Sequence, residues 1–231
     1  MQNSSKTRRS DFGTIQATER DLYILSWLGE MYAASLDHLR ILAAIKSNNA
    51  EMQSNGRVGY SAVKNLYRRW SKAGWIEKQK LLAGRPQWVW LSRRGLQQSG
   101  LSYPYREPSL ARLQHIHVVN AVRLFVEQKL ENKARWVSER DINQVRKNDR
   151  KKHLVDGEVL YQGVKIAVEV ELNRKSQKRL ASILHELKRD YQAVWYFADD
   201  SCYNTVKTAV RRIPEHQNTF VLYRLSDVLK Q

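Results

Sequence analysis

The chain has 231 residues, of which 42% are hydrophobic, and carries 40 Lys and Arg against 23 Asp and Glu, a formal net charge of +17. The length suits one large or two small domains, and the excess of basic residues, spread along the whole chain, points to a polyanion as partner. No apolar run approaches the roughly 18 residues of a membrane span. The single Cys202 argues against an internal disulfide framework or a Cys-rich zinc site.

In chain order, the opening "MQNSSKTRRSDFG" is polar and basic, which predicts a disordered tail over 1–16, no secretory signal and a cytoplasmic protein. A helix starts at Thr18, which with Asp21 spells a capping box, and Leu22, Leu25 and Leu28 supply its apolar face. A second helix carries Leu36, Leu39, Leu42 and Ile45 at helical spacing. "SNNAEMQSNGRVG" reads as a polar loop. The third helix, "YSAVKNLYRRWSKAGW", turns Val63, Leu66, Tyr67 and Trp70 inward and stops at Gly74.

Two strands follow, Trp75–Leu81 and Gln87–Leu91, with "SRRGLQQSG" as a short closing helix. Three helices and a two-stranded wing over 17–100 predict a winged helix-turn-helix that binds double-stranded DNA. Its third helix offers Ser61, Lys64, Asn65, Arg68 and Lys72 to the nucleic acid, and the wing adds Lys78, Lys80 and, at its tip, Arg85. A winged helix that makes only protein contacts would not need this basic face.

"LSYPYREPS" predicts a linker over 101–109. The remainder, 110–231, reads as helix 109–131, strands 134–140, 153–161 and 164–172, helix 175–191, strand 193–198, helix 201–213 and strand 219–224. This order predicts an α+β domain with a mixed sheet flanked by helices.

Within strand 164–172, Lys165, Ala167, Glu169 and Glu171 point to one face and the apolar residues to the other. Carboxylates are rarely buried without a compensating cation. If 153–161 and 164–172 form a hairpin turning at Gln162–Gly163, Asp156 stands opposite Glu169, and three carboxylates meet at one end of the sheet. Such an oxygen-rich cluster suits Mg²⁺ or Mn²⁺. The plainer reading is an Asp-Gly turn beside an exposed, lysine-paired strand face.

Asp156, a gap, then Glu169-x-Glu171 within a helix–three strands–helix–strand order resembles the restriction-endonuclease-like PD-(D/E)xK nuclease superfamily. The chain has "VDG" where that family prefers Pro-Asp, and Glu171 where it usually has Lys. From about Thr18 to Leu229, including "VSERDI", "VDGEV" and "AVEVELNRKS", it resembles the plasmid replication-relaxation proteins and the mobilisation relaxases of the MobC class. The resemblance implies metal-dependent, site- and strand-specific nicking of plasmid DNA at a transfer origin, with an accessory mobilisation or coupling protein as a further partner. It implies Asp156, Glu169 and Glu171 as metal and catalytic residues, with Glu139 as an accessory ligand at the end of the first strand. Lys175 would approach the scissile phosphate, as would Lys165 if the strand curls.

Two rival readings stand beside it. "HIHVV" has the spelling of a tyrosine-relaxase metal motif, but the surrounding periodicity is helical, which separates His115 and His117 by about 200°. The other is a non-catalytic winged-helix regulator or replication initiator with a degenerate nuclease-like domain.

Overall fold

The computed structural model describes residues 15–47, 50–81, 87–146 and 152–229. Its contacts separate two units, Met1–Gly29 with Ser35–Tyr105, and Glu30–Ala34 with Arg106–Gln231. Each mixes helices with a sheet. Most of the expected tail, and Arg85 at the wing tip, lie outside the described residues.

The first unit begins with α1 (Glu19–Glu30). The capping box forms: Thr18 Oγ1 accepts the Asp21 N–H at 3.2 Å and Asp21 Oδ2 accepts the Thr18 N–H at 2.8 Å. Asp21 is also fully buried, where its carboxylate takes the Trp70 indole N–H at 2.8 Å and the Arg69 guanidinium. Burial pushes this carboxyl up, but the bonds from Thr18 and Trp70 and the charge of Arg69 outweigh it and hold the group below its ordinary range. The core face is broader than the expected leucine row: Ile24, Leu25, Trp27 and Leu28 are buried, whereas Leu22 is 37% exposed.

Next come β1 (Ala34–Ser35), α2 (Leu36–Ile45), α3 (Ala50–Ser54), α4 (Tyr60–Lys72), β2 (Ile76–Gln79), β3 (Trp88–Leu91) and α5 (Arg93–Gln98). β1 was not anticipated, and α3 occupies part of the segment expected to be a loop. α4 buries Val63, Leu66, Tyr67 and Trp70, and the chain leaves it through Gly74 at φ +72°, a left-handed position that favours glycine. β2 and β3 pair antiparallel from Ile76↔Leu91 to Gln79↔Trp88, in a sheet of order β1-β3-β2.

The second unit runs α6 (Leu113–Lys129), β4 (Arg135–Ser138), α7 (Glu139–Val145), β5 (Gly157–Tyr161), β6 (Val164–Glu171), α8 (Gln177–Asp190), β7 (Ala193–Ala198), α9 (Asp200–Arg211), β8 (Phe220–Arg224) and α10 (Leu225–Val228). Its sheet has the order β4-β5-β6-β7-β8, antiparallel as far as β6 and parallel from there to β8. The β5–β6 register runs from Gly157↔Val168 to Tyr161↔Val164, as a turn at Gln162–Gly163 requires. Both turn residues have positive φ, 49° and 78°, the mirror-image conformation whose twist suits a two-residue hairpin.

Two strands are shorter than expected. Ser138 ends β4 because it caps α7, accepting the Asp141 N–H at 3.2 Å while Asp141 accepts the Ser138 N–H at 3.1 Å. Glu139 therefore opens a helix and does not extend a strand. β5 starts only at Gly157, where a Cβ would lie 2.3 Å from the Trp136 ring. Ala167, Leu180, Leu184, Val194, Tyr196 and Val206 form the centre of the core joining one sheet face to α8 and α9. Segment Glu30–Ala34 is held within this unit: Asn120 Nδ2 donates to the Ala33 carbonyl at 2.9 Å, and Arg123 bridges Glu30 at 2.6 Å and Glu127 at 2.7 Å.

Asp21→Ala removes a helix cap, orphans the buried Trp70 indole N–H and frees Arg69. These losses should cost about 2–4 kcal/mol, read as a lower denaturant midpoint. A loss of only a few tenths would show that Asp21 acts as a cap alone.

Candidate functional site

In the first unit, Ser61, Lys64, Asn65, Arg68 and Lys72 are all exposed along α4, opposite its buried face. Lys78 and Lys80 are also exposed, and the Lys78 ammonium lies 4.5 Å from the centre of the Tyr67 ring. Sequence reasoning missed Tyr60, the first residue of α4, which is 46% exposed. Its hydroxyl donates to Asp37 at 2.6 Å and the Arg40 guanidinium lies 4.1 Å from its ring centre, so the ring is held rigidly at the helix start.

In the second unit, the β5–β6 ladder ends at Gly157↔Val168, which leaves the Val170 N–H without a strand partner. Asp156, one residue before β5, supplies the acceptor through Oδ2 at 2.8 Å. That bond fixes the Asp156 carboxylate beside the backbone between Glu169 and Glu171. Its other oxygen, Oδ1, lies 2.7 Å from His115 Nε2 on α6.

Glu169 and Glu171 are each only 5% exposed on the face of β6 that carries Ala167 of the core. His153 Nε2 lies 2.9 Å from Glu169 Oε1. Lys175 pairs with Glu171, which also accepts the Tyr196 hydroxyl at 3.4 Å. The carboxylates thus share one end of the sheet, and each has a basic partner.

The electrostatics follow from this crowding. Burial pushes the Glu169 carboxyl up to about 7, and the charge of Asp156 adds to the shift while His153 and Lys175 oppose it. Burial pushes both His153 and His115 down, but the bonds and charges of Glu169 and Asp156 respectively win, and both imidazoles lie above their ordinary value. The Tyr196 phenol, buried among Glu169, Glu171 and Asp156, is driven far up and keeps its proton.

The other expected residues make no bond to these three carboxylates. Glu139 pairs with Arg112 at 2.7 Å on the first turn of α7. A cavity of about 20 Å³, room for roughly one water, lies among Tyr32, Arg112, His115, Glu139 and Asp156. Lys165 does not approach the carboxylates: near the opposite end of β6 its ammonium lies 3.0 Å from buried Glu158, which also accepts the Tyr191 hydroxyl at 2.6 Å. His115 and His117 both lie on α6 and form no joint metal motif.

Among the described residues, no group of three or more acidic, histidine or cysteine side chains has the geometry to hold a metal ion. The donors nevertheless fit Mg²⁺ or Mn²⁺ in kind. They are hard carboxylate oxygens, and the burial that raises the Glu169 carboxyl, with the Asp156 charge adding to it, is what a cation would offset. His115, His153 and Lys175 stand against these carboxylates in the fold.

Sequence reasoning weighed His115 only as half of a rival metal motif, and it missed His153 and Tyr196. The two histidines meet their carboxylates across 41 and 16 residues, and Tyr196 reads as an ordinary core aromatic. No family model, curated protein or solved structure matches the chain.

The raised Glu169 carboxyl makes stability fall with pH. Unfolded, this group titrates near 4.5, and folded near 7, so the folded state holds more protons between those values and loses stability as pH rises through them. The raised His153 acts in the same direction, its contribution fading as pH climbs through its folded value. Metal-free thermal melts should therefore fall between about pH 5 and 8 by an amount on the order of 3 kcal/mol. Glu169→Gln should flatten that fall, and an unchanged slope would place the titrating group elsewhere.

Proposed function

We infer that the chain is a DNA-binding, divalent-metal-dependent endonuclease of relaxase type, which nicks one strand at a plasmid transfer origin. In the first unit, α1, α2 and α4 followed by the β2–β3 hairpin, with short α3 inserted before α4, support a winged helix-turn-helix with α4 as its reading helix. In the second, the order α6, β4, β5, β6, α8, β7, interrupted by short α7, matches the order expected of the restriction-endonuclease-like superfamily. The observation that carries the reading is Asp156, tied to the backbone of β6 with Glu169 on one side and Glu171 on the other.

In this reading Asp156, Glu169 and Glu171 would hold the cation. When bound, it supplies an activated water and stabilises the leaving 3′-oxygen. His115 orients Asp156 through the bond at 2.7 Å. Lys175, 26% exposed at its side chain, turns its ammonium from Glu171 to a non-bridging phosphate oxygen. Tyr196 stays protonated and steadies Glu171. Exposed Lys64, Asn65 and Arg68 contact the duplex.

One observation favours a second reading, a non-catalytic DNA-binding regulator: each of these carboxylates already has a basic partner within the fold. Supercoiled plasmid carrying the chain's own origin separates the two. With Mg²⁺ or Mn²⁺ the wild type should give open circles, and Glu169→Gln or Glu171→Ala should lower the rate by about 10²-fold or more, with duplex binding nearly unchanged. The cation should also raise the wild-type melting point, by about 2.7 kcal/mol of added stability at a hundred times Kd, and Glu169→Gln should weaken that rise. A protein that never nicks, and whose melting ignores both cations, is the regulator.

DNA affinity gives a separate test. Arg68→Ala should cost about 1–3 kcal/mol on the cognate site and less on random duplex, and leave the metal-induced shift intact. Equal losses on both DNAs would limit Arg68 to phosphate contact.

A further inference from the structure

Away from the carboxylates, a cleft of about 350 Å³ opens between α8 and α9, within the size range of small-ligand sites. Its floor is apolar, formed by Leu180, Ala181 and Ile213. Its rim is polar and contains no acid: Gln177, His185, Asn204, Thr205, Thr208 and Arg212. Arg212 donates to Gln177 across the opening at 3.3 Å. The side chains of His185, Asn204, Thr205 and Thr208 make no hydrogen bond to the described residues, so their donors and acceptors are free for a ligand.

The Arg212 guanidinium lines the cleft, and further cations lie along the helices that form it. Arg174, Lys178 and Arg179 are exposed at the start of α8, and Arg211 at the end of α9. The Arg174 guanidinium donates to the Ser201 carbonyl at 2.8 Å, which fixes it at the start of α9.

These features select a ligand class. A small anion would use the arginines and waste the apolar floor. A partner helix would leave the cations unmatched. A nucleotide uses all of them: the floor takes the face of the base, the Asn204 amide and threonine hydroxyls donate to and accept from its edge, and the cations neutralise the flanking phosphates. We propose that the α8–α9 cleft receives one unstacked base of single-stranded DNA, whose flanking phosphates meet Arg212 on the rim and Lys178 and Arg211 beside it. The cleft begins at Gln177, six residues along the chain from Glu171, and on the nicking reading the held base comes from the strand being cut. The proposal rests on the nicking reading for the source of that strand, but not for the binding itself.

The test uses the full chain and two labelled probes of equal length and charge, a short oligothymidylate and its fully abasic counterpart, titrated by fluorescence anisotropy. The wild type should bind the thymidylate at least about fivefold more tightly, within the range that one stacked base contributes. Thr208→Trp fills the cleft from an exposed helix position and should remove most of that preference while abasic binding holds. Asn204→Ala should weaken thymidylate binding in the same direction by a smaller factor, and melting curves confirm that both variants fold. Equal affinity of the wild type for the two probes would mean that charge alone attracts the strand and would overturn the proposal. So would a folded Thr208→Trp variant with undiminished preference, which would leave the cleft to a protein partner. Nicking is measured in parallel. A chain that never nicks yet prefers the thymidylate loses the nuclease reading and keeps the cleft, whereas one that nicks without preference does the reverse.

Discussion

Burying carboxylates on β6 constrains the second unit more than any other feature. A charged carboxylate away from water needs a cation, a hydrogen-bonding shell or a proton, and this sheet face uses all three. Glu171 takes Lys175 and Tyr196. Glu169 takes His153 and, near neutral pH, part of a proton. Glu158, two pairing positions further along the same face, takes Lys165, Arg146 and Tyr191. Much of the packing around the sheet is arranged to bring these partners in: α6 delivers His115, the segment before β5 delivers His153, and the turn after β6 delivers Lys175. The ladder itself adds Asp156, whose carboxylate replaces the missing strand carbonyl at Val170.

The same constraint explains which parts of the site were legible in the sequence. Alternation along 164–172 and a two-residue turn at Gln162–Gly163 are local facts, and together they set the register that brings Asp156 towards Glu169. The exposed polar face of α4 was equally legible, because its apolar residues recur at helical spacing and leave the other side polar. The basic partners were not. His115 sits in an apolar helical pattern where nothing local marks it as facing a carboxylate 41 residues away. Tertiary ion pairs leave no periodic signature.

One miss had a signal. Ser138-x-x-Asp141 repeats the capping pattern of Thr18-x-x-Asp21, and reading it would have ended β4 and started α7 at Glu139. The strand propensity of "ARWV" had extended the strand across that cap. The burial of Asp21 is different: a capping residue normally faces solvent, and only the fold reveals that it also receives Trp70 and Arg69. Leu22 is exposed for the same reason, since the core-facing arc of α1 is centred on Ile24, Leu25 and Leu28.

The distribution of basic residues carries the last step. A net charge of +17 says nothing by itself about where a polyanion binds, because many of these cations are engaged within the fold. Arg69, Arg123, Arg146, Lys165 and Lys175 each answer a carboxylate. Those still exposed along single elements, Lys64, Arg68 and Lys72 on α4 and Arg174, Lys178 and Arg179 at the start of α8, form two separate tracks. The first lies on a helix whose opposite face is core, as groove reading requires. The second begins beside Gln177, on the rim of a cleft with an apolar floor and no acid among its lining residues. Each track is defined by cations that its elements leave without a carboxylate partner among the described residues, and so the charge balance of the sequence becomes a map of surfaces only after the internal ion pairs are removed from it.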